Sequence, residues 1–135
     1  MIILESHSER LISGPGITLI YEALSKINNS SLKLTSEEIV ASAIANKKGL
    51  EYEACKILFE LLGKFAASVA LIYGARGGVF LSGGLLVRLY TILPNDLILK
   101  NFLIPGRMKN YVKQIPLHII NDDLISLMGC AVYKK

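Results

Sequence analysis

The glycines and the single serine between Gly77 and Gly84 are the residues best suited to binding chemistry in the sequence. Two glycine pairs flank the apolar run Val79 to Leu81, and Ser82 directly precedes the second pair. Glycines at the carboxyl end of a strand, opening into a helix, let a phosphate or ribose approach backbone amides at the positive helix end. The spacing matches neither the GxxxxGK[ST] phosphate loop nor GxGxxG. A strand with a tight turn at each end explains the pattern equally well.

A second loop of similar composition, Ser13-Gly14-Pro15-Gly16, lies far upstream. Proline fixes φ whereas glycine permits positive φ, so the loop favours a tight turn followed by a helix. Taken by itself, the loop is best interpreted as a plain turn. The neighbouring Glu9 and Arg10 are typical of a solvated ion pair.

The other polar residues predict neither a catalytic nor a metal site. His7 and His118 have no cysteine or acidic partner at a metal-ligand spacing, and His118 alternates with apolar neighbours as a strand residue does. Asp122-Asp123 follow a strand end, where a cation or ribose contact and a helix N-cap are equally good explanations. The sequence contains neither GxSxG nor HExxH, and no nucleophile can be paired with a base.

Helical periodicity organises the first half of the chain. Apolar residues spaced three and four apart predict helices over 17–27 and 51–73, and Thr35 with Glu38 forms a capping box at the start of another. Beyond Phe65 the polar face of the long helix disappears. We therefore expect protein to surround that end.

Two short apolar runs, 78–82 and 116–120, predict buried strands, the first of them buried on both faces, and a helix follows each. This βαβα order predicts an α/β fold with parallel strands. Two strands are too few for a stable sheet, because they leave open edges and uncovered apolar faces. We expect further strands from another copy, another polypeptide or an amino-terminal half.

Composition limits the remaining classes of function. The chain has 135 residues, 52% of them hydrophobic, which suits one domain or a piece of one. Its mean hydropathy is +0.46, but Arg76 divides the longest uncharged stretches, 65–75 and 77–87, and each is shorter than the roughly 20 residues of a membrane span. A small membrane-associated protein built on this region is a minor alternative.

The charged residues and cysteines indicate no nucleic-acid partner and a reducing compartment. The net charge of +4 is spread along the chain and aromatic residues make up only 7%, so no basic stacking surface is predicted. Cys55 and Cys130 lie in separate apolar runs, as free buried thiols do. The opening Met1 to Leu4 lacks the basic region of a secretory signal. We expect a cytoplasmic protein.

The order of several segments resembles the carboxyl-terminal part of bacterial glucokinases. The matching segments follow one another at compatible intervals: 8–16, 77–84, 106–112 leading into 115–117, and 127–129. The resemblance covers nearly the whole chain, and residues 1–135 are taken as one unit. It implies a single partial domain, the helix-rich carboxyl-terminal portion of an actin-like, ribonuclease H-like lobe with few parallel strands.

The resemblance also implies an activity and its site residues. In that family two α/β lobes close around glucose and ATP with Mg²⁺, and a phosphoryl group passes to the sugar 6-hydroxyl. By resemblance Glu9 contacts glucose hydroxyls. The turn Ser82, Gly83 and Gly84 matches the adenosine-side loop, and Ser13, Gly14 and Gly16 lie close to the same cleft.

Departures from the family pattern limit the activity that we expect of this chain. The family's phosphate loop, its Asn-Asp pair with the catalytic base, and its Glu and His sugar contacts belong upstream of Ser8 and are not in this sequence. Pro105 stands where a charged residue is usual. We expect a fragment that is inactive alone, with an amino-terminal half or a second copy as partner. The alternative is a non-catalytic interaction module that pairs through open sheet edges.

Overall fold

A computed structural model describes residues 8–30, 32–103, 106–122 and 124–133. Within these ranges the chain is mainly helical, with a short parallel sheet, as the sequence predicts. The helices are α1 (Ser8–Leu11), α2 (Gly14–Ile27), α3 (Ser36–Ala45), α4 (Leu50–Tyr73), α5 (Gly84–Tyr90), α6 (Leu97–Phe102), α7 (Lys109–Val112) and α8 (Ile125–Val132). The strands are β1 (Val79–Leu81) and β2 (Leu117–Ile119).

Helix α4 is the centre of the fold, and α2, α3 and α6 pack against it. Helix α4 supplies much of the core, where Leu58 and Phe59 are 3% and 2% exposed. Phe65, which the helical spacing predicts on the buried face, is instead 38% exposed. Tyr21 of α2 is buried in the same cluster, and its hydroxyl donates to Glu51 Oε1 of α4 at 3.3 Å. This body of four helices therefore buries a continuous apolar core.

Helices α4 and α6 approach so closely that only a glycine fits between them. A Cβ on Gly63 of α4 would lie 2.5 Å from the carbonyl oxygen of Ile98 in α6. A neighbouring cluster of small and large side chains continues the packing: Ala66, Ala67, Ala70, Phe102, Val112 and Ile115. Small residues on α4 thus allow close helix contact along this face.

The prediction that protein surrounds the far end of α4 is correct on one side only. Ala67 and Ala70 are fully buried, but Ile72 and Tyr73 are 77% and 80% exposed. The reason is that α6 and α7 pack along one side of this end of α4.

The start of α3 has the predicted capping box. The Thr35 amide donates to Glu38 Oε2 at 2.8 Å, and the Glu38 amide donates to Thr35 Oγ1 at 3.3 Å. These bonds satisfy amides that the first helical turn leaves without partners.

The predicted turn at Gly14-Pro15-Gly16 is instead the first turn of α2, because proline fits a position whose amide has no helical partner.

The two strands pair in parallel, as predicted, with Val79 opposite Leu117 and Leu81 opposite Ile119. The prediction that β1 is buried on both faces is wrong. Phe80 is 62% exposed and stacks on the exposed His118, with ring centroids 4.8 Å apart. Helices cover only the opposite face of this pair within the described residues. An apolar run indicates a strand but does not show which of its faces is covered.

Helix α8 follows the sheet and contains no buried residue. Leu127 is 66% exposed and Val132 is 77% exposed. Despite the high mean hydropathy, none of the helices in the described part of the chain has both the length and the apolar character needed to cross a bilayer.

Candidate functional site

The fold brings the two glycine-containing loops together, although they are far apart in the sequence. Ser13 and Gly14 face Ser82, Gly83 and Gly84 across a cavity of about 230 Å³. The other residues that line it are apolar and come from the loop after α1, from α4 and from α5: Ile12, Leu58, Phe59, Leu62, Leu85 and Leu86. We call this space the loop cavity.

None of the described residues that line the loop cavity is ionisable. Its polar groups are two serine hydroxyls and the backbone of three glycines, while Leu58 and Phe59 belong to the buried core. Such a lining can hold the flat apolar face of a base and hydrogen-bond a ribose, but it supplies no acid or base for catalysis. The arrangement is suited to binding.

Ser13 has a defined structural role on the wall of the cavity. Its hydroxyl donates to the Arg10 carbonyl at 2.8 Å and accepts from the Gly16 amide at 3.2 Å. It is the N-cap of α2, so it joins α1 to the start of that helix. A ligand can use the remaining lone pair of the oxygen but not its proton.

Gly83 gives the opposite wall its shape. Its φ of 141° and ψ of 144° lie in a region open essentially to glycine alone. A Cβ there would meet no atom within 4 Å, so backbone conformation rather than space requires glycine. Gly84 begins α5, and the Gly83 carbonyl accepts from the Val87 amide at 3.1 Å.

Gly16 lies behind the loop and does not line the cavity. It is buried, and a Cβ on it would stand 2.2 Å from the Leu11 carbonyl oxygen. The structure therefore gives Gly16 a packing function between α1 and α2. Its assignment to the nucleotide site stays a prediction.

For several predicted residues the structure describes no side chain. Glu9 lies in α1, but its side chain is not described. His7, Pro105 and Asp123 are also outside the described residues. The structure therefore assigns no contact to the proposed sugar carboxylate.

A wider groove of about 1020 Å³ borders the loop cavity and was missed by the sequence analysis. Ser13 lines both spaces, and the groove also exposes Arg10, Lys33 and the N-cap Thr35. The two N-caps, Ser13 and Thr35, start α2 and α3. Each cap can be predicted locally, but nothing local indicates that the two helix starts face the same groove.

The described titratable groups form no metal centre. No group of three His, Cys, Asp or Glu side chains within the described ranges is arranged to hold an ion. Burial raises the pKa of the Cys55 thiol to about 12. This cysteine is therefore a core residue and a poor nucleophile.

Comparison with known proteins places this geometry in a family. A model of the family described as glucokinase matches residues 5–135. Among curated relatives, glucokinase of Cupriavidus pinatubonensis is 36% identical over 126 residues, with 92% of this chain and 37% of that protein covered. Glucokinase of Colwellia psychrerythraea is also 36% identical, over 131 residues that cover 93% of this chain and 40% of the relative.

A crystal structure of glucokinase from an Antarctic psychrotroph has the same arrangement. The TM-score is 0.81 and the sequence identity 31%, with 91% of this chain and 38% of that chain covered. The chain therefore spans about two fifths of the length of the relatives it matches.

Proposed function

The chain belongs to the glucokinase family, and from this premise we propose that it supplies the adenosine side of the ATP site and one glucose-binding carboxylate. The complete enzyme transfers a phosphoryl group from ATP to the 6-hydroxyl of glucose. The observation that carries the proposal is the loop cavity, where Ser13 and Gly14 meet Ser82, Gly83 and Gly84. These are five of the six residues predicted to lie at the nucleotide cleft.

The chemistry of the loop cavity suits the adenosine part of ATP. Apolar side chains, among them Leu62 and Leu85, can contact the base, while bare glycine backbone allows the ribose close approach. Phosphoryl transfer depends mainly on positioning and on electrostatic stabilisation of the phosphates. Mg²⁺ supplies that charge when it accompanies ATP, and we assign no residue of this chain to it.

Titration with ATP, followed residue by residue through backbone amide NMR, tests the adenosine site. We expect the largest shift changes at Gly14 and at Ser82 to Gly84. Gly83→Ala should weaken this response, because alanine is strained at a φ of 141°. Gly77→Ala is the matched control, because position 77 has open space and no positive φ.

Two results would contradict the adenosine assignment. One is saturable binding whose shift changes lie away from the loop cavity. The other is an equal loss of response in Gly83→Ala and Gly77→Ala, which would show that the conformation at Gly83 has no special role.

We propose that Glu9 contacts glucose hydroxyls and that the chain alone does not phosphorylate glucose. What supports the inactivity is that the chain spans only about two fifths of the length of the glucokinases it matches. A coupled assay for glucose 6-phosphate on the purified chain should show no turnover. Robust turnover would refute the claim of inactivity.

The second candidate function is an interaction module, and the sheet favours it. Within the described residues β1 and β2 pair only with each other, so the outer edge of each has no strand partner. Phe80, 62% exposed, also leaves one face of the pair uncovered. Sedimentation velocity over a wide concentration range tests this function, because a monomer at every concentration would argue against pairing between copies. The cytoplasmic location stays a prediction.

A further inference from the structure

Ser25 is a buried polar residue whose hydroxyl has no hydrogen-bond partner within the described residues. It lies in the last turn of α2 and is only 2% exposed. Buried hydroxyls in folded proteins nearly always have a partner, so each exception needs an explanation. Ser25 also lines a cavity of about 280 Å³, together with Glu22, Lys26, Ser30, Leu32 and Lys33. We call this space the Ser25 cavity, and a ligand held there would explain the unpaired hydroxyl.

Backbone hydrogen bonds at the end of α2 build the Ser25 cavity. Asn29 has a φ of 53°, in the left-handed region, and its amide donates to the Lys26 carbonyl at 3.2 Å. The Ser30 amide donates to the Ser25 carbonyl at 2.8 Å. These two bonds form a Schellman motif, which reverses the chain at the end of a helix. The cavity therefore lies between α2 and the returning chain, which carries Ser30 and Lys33.

The polar side chains of the Ser25 cavity differ in burial. Ser25 is buried and Glu22 and Ser30 are half-buried, so these three line its inner part. Lys26 and Lys33 are exposed and stand at its mouth. The cavity thus has hydroxyl and carboxylate oxygens inside and two positive charges outside.

The charged side chains of this cavity are available to a ligand. Glu22 and Lys26 have the spacing of a helical ion pair, but neither they nor Lys33 belong to an ion pair within the described residues. A carboxylate accepts hydroxyl protons, and a serine hydroxyl both donates and accepts. Lysine binds phosphate as a point charge. The arrangement therefore suits a ligand with hydroxyl groups at one end and an anionic group at the other.

We propose that the Ser25 cavity binds a small phosphorylated polyol. Its phosphate, with about −1.5 to −2 charges at pH 7, lies at the mouth between Lys26 and Lys33, whose two charges match a phosphate better than a single carboxylate. Its hydroxyl groups bind Glu22, Ser25 and Ser30. The Ser25 hydroxyl breaks no hydrogen bond when it rotates toward the ligand, so binding adds a bond without losing one.

The size and place of the cavity define the ligand further. Its volume of about 280 Å³ lies at the small end of ligand sites, which favours a polyol of a few carbons. The Ser25 cavity shares no lining residue with the loop cavity. The inference therefore goes beyond the nucleotide proposal and does not depend on it.

Titration of the 135-residue chain with glycerol 3-phosphate, followed through backbone amide NMR, tests the site. We expect saturable shift changes at Ser25, Lys26 and Ser30, with Gly14 and Gly83 unchanged. Inorganic phosphate and glycerol, each titrated alone, should bind at least about tenfold more weakly, because each makes only part of the contacts.

Two pairs of variants assign the contacts. Ser25→Ala should weaken binding about three- to tenfold by removing one hydrogen bond. Ser68→Ala is its control, because the Ser68 hydroxyl donates to the Lys64 carbonyl on α4, away from the cavity. Lys26→Gln should weaken binding about fivefold. Lys47→Gln makes the same change in net charge between α3 and α4 and should leave the affinity unaltered.

Several results would overturn the proposal. The first is the absence of saturable shift changes around Ser25. Equal affinity for inorganic phosphate and glycerol 3-phosphate would also overturn it, because the hydroxyl groups would then contribute nothing. The same holds for unchanged affinity in Ser25→Ala or for equal losses in Lys26→Gln and Lys47→Gln. A chain that binds ATP at the loop cavity but not glycerol 3-phosphate keeps the nucleotide proposal and refutes this one.

Discussion

The helical body around α4 and the end that carries β1, β2 and α8 use apolar residues in opposite ways. In the body, Ile17, Ile39 and Leu89 are fully buried, and side chains from several helices interdigitate. At the other end, Phe80 and Leu127 are more than 60% exposed. The difference teaches that the described chain contains one well-packed core and one apolar surface that no described residue covers.

The largest difference should appear between two phenylalanines. Phe59→Ala should lower the free energy of unfolding by about 3–5 kcal/mol, because it opens a cavity in a core where Phe59 is 2% exposed. Phe80→Ala should lower it by no more than about 1 kcal/mol, because the mostly exposed ring loses only its stack on His118. Urea denaturation measures both. Equal losses in the two variants would contradict the contrast between the packed helical core and the exposed face of the sheet.

Substitution of two helical glycines by alanine should change the stability of the fold in different directions. Gly63→Ala should destabilise the fold by about 1–3 kcal/mol, because the new methyl group would meet the Ile98 carbonyl. Gly129→Ala in α8 should be neutral or stabilise by about 0.5–1 kcal/mol, because the position is open and alanine favours helix. Thermal unfolding distinguishes them, and a destabilised Gly129→Ala would indicate that α8 is already packed.

Disruption of the α3 capping box should have a smaller effect on the free energy of unfolding. Thr35→Ala should lower stability by about 1 kcal/mol, because the Glu38 amide and carboxylate both lose a partner. Thr35→Ser keeps the hydroxyl and should recover most of the loss. Circular dichroism during urea titration measures the series, and an equal loss in the serine variant would contradict the capping role.

The hydrogen bonds of the α3 capping box also predict that stability falls as the pH becomes acidic. Hydrogen bonds from the Thr35 amide and then from its hydroxyl lower the pKa of Glu38 below its ordinary value. A lowered folded-state pKa gives stability that is complete above the unfolded value and is lost as pH falls through the folded value. Glu38→Gln should flatten the decline in melting temperature below about pH 5. If the melting temperature of Glu38→Gln declines as steeply at low pH as that of the unaltered chain, other carboxylates cause the decline.

The smallest effect is expected at Ser25, a polar residue within the body. Ser25 is 2% exposed, and its hydroxyl has no hydrogen-bond partner within the described residues. Ser25→Ala should therefore be neutral or stabilise by up to about 1 kcal/mol. Ser13→Ala should instead lose about 1 kcal/mol, since its hydroxyl both donates and accepts. A clear loss in Ser25→Ala would reveal a bound water.

Features fixed by neighbouring residues could be predicted from the sequence. The capping box at Thr35 follows from local pattern, and the parallel pairing of 79–81 with 117–119 follows from the helical crossover between them. The burial of Phe80 was predicted wrongly, because an apolar run does not show whether anything covers each face. Resemblance rather than periodicity placed Ser13 and Ser82 near one cleft, and only packing on α4 shows that both line one cavity. The groove beside Arg10 depends on tertiary packing in the same way.

Ser13 is both a helix cap and part of a cavity wall, and this arrangement affects binding. The serine is anchored through α2 to Ile17 and Tyr21, which are buried, so its position is set when the chain folds. A molecule entering the loop cavity would meet a rigid rim and would lose little affinity to ordering that side of its site. Any conformational change when a ligand enters would then occur at the opposite rim, where Ser82 is exposed and Gly83 has open space around it.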